Sequence, residues 1–575
     1  MSLVLSKTWW SGICWSGQSP EPEQSTLTTE QRLVTPIASV RRFETVLEWL
    51  ANRPPILWRL LAFGLVAGMT VLAIRQASIS IDGVRYFWLD DDQMISMRYA
   101  RNLAEGHGLV WNPGERVEGY SNFLWTLVMA GVHLLPLPDA TTSLAVKLIN
   151  LGLAFAVLLL TERLLRRFLP KPGLALPAVL LTLALCGDLL FWSVNGFETT
   201  LLTVIFLAVV VRLLDEEQSG QPRVTTYLLM GLLPLVRSDA LHIWFGTALL
   251  AIGVNKDRKK TAVFLGISLL LPLAHLLWRR GYYGDWLPNT YYLKVYGIKG
   301  LPRIGVGYVR FFVGNYAAAL TLAGIGALLA AQRRWWLLLA GVVIAMGYSL
   351  RVGGDIFEFS RFLAHEVPVI LVLAAVAAVQ FGARWNQASS FLLLATLSIA
   401  TLASTGVFYP GKIYSQNGGL AYTTVAGVLI NRYTAPDARV AVIAAGGVPY
   451  FSHRYSIDLL GKSDPVIARR PPVCCNDQIG HNKFDVDTSL AKQPDIFAPL
   501  LPHELNEFDW WLDYQERTYG VSYNTAVVKN EVFRQRYLPN PVQIDYLLQN
   551  APLYIRDDSV EAGNLDRWQA PKVTQ

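Results

Sequence analysis

Apolar runs long enough to cross a bilayer recur from residue 56 to about residue 404, separated by short polar breaks that carry Pro, Gly, Arg or Asp. The candidate spans are 56–76, 143–162, 174–192, 198–214, 224–236, 240–254, 261–278, 311–331, 335–350, 364–381 and 389–405. The pattern therefore predicts an α-helical polytopic membrane protein of about eleven spans over residues 55–408. The run at 224–236 is short for a bilayer. A further apolar piece at 123–137 is shorter than a span and ends in Pro136 and Pro138, so it reads as a juxtamembrane helix. Residues 1–54 are polar, with Ser-Pro and Glu-Pro pairs, and read as a poorly ordered tail without the basic start and apolar core of a signal peptide. From residue 409 to 575 charges, Pro and Asn return at soluble density over roughly one ordinary domain length. There 440–444 and 494–497 have short-strand patterns and 506–516 a Trp-bearing helix or turn, so a C-terminal extracytoplasmic α/β domain is expected. Trp510, Trp511 and Tyr514 could stack on sugars, though such aromatics more often serve as core or interface anchors.

Composition agrees with a membrane. Of 575 residues, 52% are hydrophobic and 16% charged, too little charge to solvate a globule of this size. The four cysteines make no disulfide scaffold: Cys14 lies in the tail, Cys186 in an apolar run, and the adjacent pair Cys474 and Cys475 would form a strained bridge. The net charge of +7 suits lipid or phosphate contacts, and no nucleic-acid motif accompanies it.

Parity gives an orientation. If 123–137 does not cross, Arg163, Arg166, Arg167, Lys171, Lys256, Arg258, Lys259, Lys260, Arg333, Arg334 and Arg384 share a side with Arg41, Arg42 and Arg53. The positive-inside rule then puts the N-terminus in the cytoplasm. The opposite, outer face collects the loop 85–122, residues 195–198, Arg237-Ser238-Asp239, the loops 279–310 and 351–361, and residues 409–575. Charges at the ends of apolar helices, such as Glu198, Asp239, Asp355 and Glu358, are costly and usually functional, although each alone could be a solvated loop charge.

The most unusual stretch begins at Asp90-Asp91-Asp92 and runs on to Asn122. Asp90 sits where a helix would begin, as an N-cap, and the next two acids would complement the helix dipole. That accounts poorly for Arg98, Arg101, Glu105, His107, Glu115, Arg116 and Glu118 in the same loop beside a membrane.

The words Asp91-Asp92-Gln93-Met94-Ile95-Ser96-Met97-Arg98-Tyr99-Ala100-Arg101-Asn102 and Gly106-His107-Gly108, running on to Glu118-Gly119-Tyr120-Ser121-Asn122, resemble the first outer loop of GT-C integral-membrane glycosyltransferases. The nearest likeness is to mycobacterial arabinofuranosyltransferases and related envelope-glycan enzymes. Similar words occur downstream in the same order: Asn195-Gly196-Phe197-Glu198-Thr199; Arg237-Ser238-Asp239; Gly284-Asp285-Trp286-Leu287-Pro288-Asn289-Thr290-Tyr291-Tyr292-Leu293-Lys294; Gly353-Gly354-Asp355 with Arg361-Phe362; and Ile457-Asp458-Leu459-Leu460-Gly461. Where relatives tend to have Arg-Pro-Glu-Gly, this chain has Arg237-Ser238-Asp239-Ala240.

The resemblance implies transfer of a sugar from a polyprenyl-phosphate donor to an envelope glycan or glycolipid acceptor at the outer face of the cytoplasmic membrane, by direct inverting displacement. A carboxylate must then accept the acceptor's proton, and cations must stabilise the departing phosphate. Asp91 is the expected base, with Asp92 orienting it or the acceptor. Arg98, Lys294 and Arg361 are the expected phosphate ligands, and Glu198, Arg237, Asp239, Asn289, Tyr292, Asp355 and Asp458 further substrate contacts.

Asp90 and Asp92 also spell Asp-x-Asp, which in soluble glycosyltransferases holds a metal. A three-residue match leaves a metal open: Glu198 or Asp239 could complete a magnesium or calcium site, and His107 could join it, although a lone His beside Gly in a turn is more often a hydrogen-bonded loop residue. Gly446-Gly447 after the strand-like 439–443 only suggests a phosphate loop. The rival function is a transporter or flippase for a lipid-linked glycan, which would place charges within spans and often show internal repeats. A structural scaffold would tolerate loss of Asp91 and Asp92.

Overall fold

The computed structural model describes residues 42–330, 332–357, 359–405, 417–473, 479–498, 523–539, 553–569 and 571–574. The expectations for Cys14, Arg41, Glu358, Cys474, Cys475, Trp510, Trp511 and Tyr514 lie outside them.

Among the described residues six helices are long and apolar enough to cross a membrane: Pro55–Gln76, Asp139–Phe168, Arg258–Tyr283, Arg333–Val352, Ala364–Gly382 and Gln387–Thr405. Two bent pairs raise the number to eight if each is one span. These are Ala175–Ala184 with Gly187–Val194, bent by 46°, and Leu301–Asn315 with Ala317–Ala330, bent by 79°. The chain is a multi-pass membrane protein. The other expected spans are helical but different in kind. Val224–Val236 and Leu241–Val254 are short apolar helices, and Thr199–Ser219 carries Arg212, Asp215 and Glu216 toward its end. Phe123–His133, at 11 residues, is too short to cross.

The span expected at 311–331 is corrected. Its helix starts at Leu301 and turns sharply at Tyr316, whose hydroxyl donates to Asp188 Oδ2 at 2.6 Å. The other Asp188 oxygen accepts the Ser360 N–H at 2.8 Å, so one intramembrane carboxylate ties a bend to the loop beyond Arg333–Val352. Glu162, also within a span, accepts from Arg59 at 2.6 Å and Arg166 at 2.9 Å. Lipid offers a charge no other partner.

Between the first and second long helices stand β1 (Ser78–Ile81) and β2 (Val84–Phe87), an antiparallel hairpin. Asp82 and Gly83 at its tip have φ of 49° and 87°, the positive pair that a two-residue hairpin turn demands. The helix Asp91–Ala104 comes next, with Asp90 as N-cap accepting the Asp92 N–H at 3.2 Å. It is buried from Gln93 to Asn102 despite its polarity, because Phe123–His133 covers one side and Gly447–Ser452 another.

The C-terminal residues form a five-stranded mixed sheet from β3 (Arg439–Val442), β4 (Tyr455–Asp458), β5 (Ile496–Ala498), β6 (Tyr537–Pro539) and β7 (Tyr554–Arg556), in the order β4-β3-β5-β7-β6. β3 pairs in parallel with β4 and β5, and β7 runs antiparallel to β5 and β6. The expected strands at 440–444 and 494–497 are β3 and β5, each shifted by a residue or two. β8 (Val573–Thr574) returns to pair with β1, and Arg432 meets Asp82 at 2.5 Å beside it. The chain's end is thus stitched to the loop that precedes the acidic helix.

Gly187, at the 46° bend, faces the Thr405 carbonyl and the Phe359 ring with no room for a Cβ. Gly187→Ala should overpack this junction by about 1–3 kcal/mol. A thermal melt of the purified protein in detergent should show the loss as a fall of several degrees, and an unchanged melt would show that the bend relaxes freely.

Candidate functional site

A cavity of about 500 Å3 opens where the loops at one end of the bundle meet the C-terminal sheet. Its polar wall comes from Asp92, Gln93 and Ser96 on the acidic helix, from residues 119–122, from Arg237-Ser238-Asp239, and from Asp355 and Arg361. Lys294 and Lys462 complete that wall. The other wall is apolar: Leu241, Phe245, Leu287, Val295, Val352 and Ile356. Such a half-polar, half-apolar cleft suits a ligand with a charged head and a hydrocarbon tail.

Glu198 organises the polar wall. It is fully buried at the start of Thr199–Ser219. Its Oε1 accepts from Arg361 at 2.8 Å and lies 3.7 Å from Arg237, while its Oε2 accepts from Gln93 and Asn122, each at 3.2 Å. Arg237 is gripped by Asp239 through bonds of 3.0 and 2.7 Å. Arg361 also lies 3.5 Å from Asp355 and 3.8 Å from Asp92, with its guanidinium 4.7 Å from the Phe197 ring centre. Burial pulls the Arg361 pKa down, but Glu198, Asp355 and Asp92 outweigh it and hold the group charged.

Lys294 and Lys462 differ from these arginines. Among the described residues neither ammonium has a hydrogen bond or a carboxylate in ion-pair contact. Lys462 is buried. Burial lowers its pKa, and Asp91, Asp92 and Asp458 more than reverse that, so it remains charged. The nearby His481 is pushed down to about 3 by burial and by these two lysines, a measure of how positive the corner is. Burial raises the Asp92 carboxyl, but Lys294, Lys462 and Arg361 prevail and hold it at about 2.

Asp92, Lys294, Arg361, Arg237, Asp239 and Asp355 are brought together around this cavity, with Glu198 behind them. The others are placed elsewhere. Asp91 does not line the cavity: its Oδ1 accepts the N–H groups of Gly446 at 3.1 Å and Gly447 at 2.9 Å. The glycine pair after β3 is therefore occupied by a carboxylate of the acidic helix rather than by a phosphate. Burial raises the Asp91 pKa, against the pull of Lys462 and these amides.

Arg98, expected on a phosphate, is corrected most plainly. It is buried and donates to Trp111 O, Pro449 O at 2.6 Å, Ser456 Oγ at 3.1 Å, Asn112 Oδ1 at 2.8 Å and Arg454 O at 2.8 Å. Every direction its planar fork offers is taken, so it rivets the acidic loop to the sheet. Tyr292 points to Asp285 at 3.3 Å and carries the Arg469 guanidinium 4.0 Å over its ring. Asn289 donates to Gly461 O at 2.8 Å and Lys462 O at 3.0 Å, while Asp458 accepts from Leu460 N at 2.9 Å and Ser463 N at 2.5 Å. Neither lines the cavity. Together they shape the turn that presents Lys462.

Lys462 is the residue that the sequence reading missed, one position past the word that ends at Gly461. Glu118 and Arg279 form a second missed pair, 2.6 Å apart and buried, with Arg279 also 3.2 Å from Ser238 Oγ. Burial raises Glu118 to about 7, against Arg279. The metal expectation does not fit. Glu198 and Asp239 are spent on arginines, Asp90 caps its helix, and His107 is half-exposed beside Glu105 at 3.8 Å. Among the described residues no three His, Cys, Asp or Glu side chains converge as ligands.

Residues 412–539 match a family described as a domain of unknown function, DUF8728. The chain is 28% identical over 379 residues to a terminal β-(1→2)-arabinofuranosyltransferase of Corynebacterium glutamicum, covering 58% of this chain and 54% of that protein. It is 28% identical over 215 residues to the protein of the same name from Mycobacterium tuberculosis, covering 35% of this chain and 34% of that one. The chain thus spans about half the length of the first relative and about a third of the second. Among the solved structures that it matches is ArnT from Cupriavidus metallidurans bound to undecaprenyl phosphate, at TM-score 0.47 and 11% identity over 70% of this chain and 85% of that one. Another is the apo oligosaccharyltransferase of Archaeoglobus fulgidus, at TM-score 0.47 and 11% identity over 72% and 65%. Both scores are too low to establish a common fold. The sequence likeness extends over more than half of the chain: this multi-pass membrane protein is similar to a protein named terminal β-(1→2)-arabinofuranosyltransferase, at 28% identity.

Proposed function

We propose that the protein is a membrane glycosyltransferase that moves a sugar from a polyprenyl-phosphate donor to an envelope glycan or glycolipid acceptor. The observation that carries this reading is Asp92 facing Arg361, Lys294 and Lys462 across one cavity, with the two lysines lacking protein partners among the described residues. A carboxylate serves the acceptor and unspent cations serve a leaving phosphate. The relatives' names favour an arabinofuranosyl unit. Charges within the spans, Lys147, Glu162 and Asp188, are bound to protein groups and do not line the cavity, which disfavours the transporter reading.

In this reading the acceptor oxygen attacks the anomeric carbon as Asp92 takes its proton. The bond to the donor's phosphate oxygen breaks with its electron pair, and Lys294, Lys462 and Arg361 stabilise the phosphate that departs. The displacement is single and inverting. Asp91 acts through position, by fixing the first helical turn to Gly446 and Gly447. The tail enters along the apolar wall.

The direct test incubates purified protein with a panel of polyprenyl-phosphate sugars and an acceptor glycan and follows release of polyprenyl phosphate. Asp92→Asn should lose about 10²-fold or more in transfer, with donor binding kept or tightened because a negative charge beside the phosphate is gone. Asp91→Asn should be milder, since an amide oxygen can still accept both glycine N–H groups. The reverse ranking would return the base to Asp91.

A pH experiment tests the electrostatics. Asp92 is depressed in the free protein by cations that a bound phosphate would neutralise, so donor binding should raise its pKa. Because kcat reports the complex and kcat/KM the free enzyme, the acid limb of kcat should lie at higher pH than that of kcat/KM for the donor. Coincident limbs would mean that the phosphate binds away from these three cations.

The proposed setting is the cytoplasmic membrane of a bacterium, about eleven spans, with the N-terminus inside and the C-terminal sheet and cavity outside. Topology reporters fused after Lys260 and after residue 409 should report cytoplasm and exterior respectively. Lys260 on the outside would overturn this orientation.

A further inference from the structure

A second cavity, of about 300 Å3, lies remote from the first among the helix at 42–51, Pro55–Gln76, Ala175–Ala184 and Gln387–Thr405. Its walls are almost wholly apolar: Leu50, Trp58, Pro177, Ala178, Phe391 and Ala395 mark its course. One rim joins Phe43 to Phe391, whose rings are 5.6 Å apart, and brings Ala51 against Gly173. From there the slot runs along residues 174–185 and 391–402 for three helical turns, roughly 16 Å. Its volume spread over that length gives a width of about one extended alkyl chain. Most of its wall residues are only half-buried, so it opens sideways toward the bilayer. An apolar cavity does not hold water, and in a membrane the nearest filler is hydrocarbon.

The rim is basic. Arg53 stands 3.3 Å over the Trp49 ring, and Lys171 is exposed three residues before Leu174. Among the described residues neither has a carboxylate partner. Phe43, Val46 and Trp49 are exposed on the same short helix, as on an element lying in a membrane interface.

We infer that this slot binds one acyl chain of an anionic phospholipid, with its headgroup beside Arg53 and Lys171. The ligand is a resident lipid that wedges the interfacial helix, the bent span and the last described span together. This stands independently of the proposed transferase activity.

The test uses the full chain, purified in detergent and delipidated, titrated with phosphatidylglycerol carrying brominated chains, with the choline analogue, and with undecaprenyl phosphate. Brominated phosphatidylglycerol should quench tryptophan fluorescence saturably, and Trp58→Phe should remove most of the quenched component. Ala178→Phe and Ala395→Phe, which fill the slot, should weaken binding by about tenfold or more. The double variant Arg53→Ala with Lys171→Ala should abolish the preference over the choline lipid. Quenching unchanged in Trp58→Phe, or in either filled variant with a normal melt, would overturn the assignment. So would displacement of phosphatidylglycerol by equimolar undecaprenyl phosphate, which would make the slot a polyprenyl site.

Discussion

A carboxylate with no exposure to water has to be surrounded by donors and cations, and Glu198 collects these partners from four separate segments of the chain. Arg361, Arg237, Gln93 and Asn122 all reach it, and the segments that bear them end at one cavity as a result. Removing one partner from such a buried pair typically costs about 3–5 kcal/mol, because the remaining charge is stranded. The cluster is therefore a rigid frame more than a ligand site. What it leaves unspent, Lys294 and Lys462, is what the cavity can offer to an incoming anion.

The C-terminal sheet is part of this frame. Arg98 and Asn112 are bonded to the segment 449–456, Asp91 to the glycines after β3, and Asn289 to the turn at 461–464. Asp458, at the end of β4, folds that turn and so delivers Lys462. Asp458 was expected to contact substrate. The sheet's observed contribution to the cavity is a cation, which makes the two halves of the chain dependent on each other for one wall.

The helices were legible because lipid imposes a strong, local rule on composition, and the candidate words were legible because each lies at a helix end. The partition among them was not. Asp91 and Asp92 are neighbours with the same chemistry, and only the approach of Gly446 decides that one faces the sheet and the other the cavity. Arg98 was read as a phosphate ligand because a departing phosphate needs cations and Arg98 lies in the loop that carries the resemblance. Three of its five protein acceptors lie between Pro449 and Ser456, a segment that sequence alone could not bring near. Lys462 carried no signal beyond adjacency to a recognised word, and the break at Tyr316 depended on Asp188, far away in the chain. The Asp82-Gly83 hairpin was readable from its turn residues and was passed over.

The arrangement has a consequence for the order of events in the proposed reaction. A base ringed by Arg361, Lys294 and Lys462 is held ionised and therefore weak, for the cations that fix its charge also oppose its taking a proton. A phosphate seated among the same cations cancels that opposition, and burial then favours the protonated carboxyl. Asp92 would thus gain basicity when the donor is in place, and lose it when the polyprenyl phosphate leaves. Donor binding before proton removal follows from the positions of charges, without any moving part. It also limits wasteful activation of water, because the empty cavity holds its carboxylate in the form least able to accept a proton.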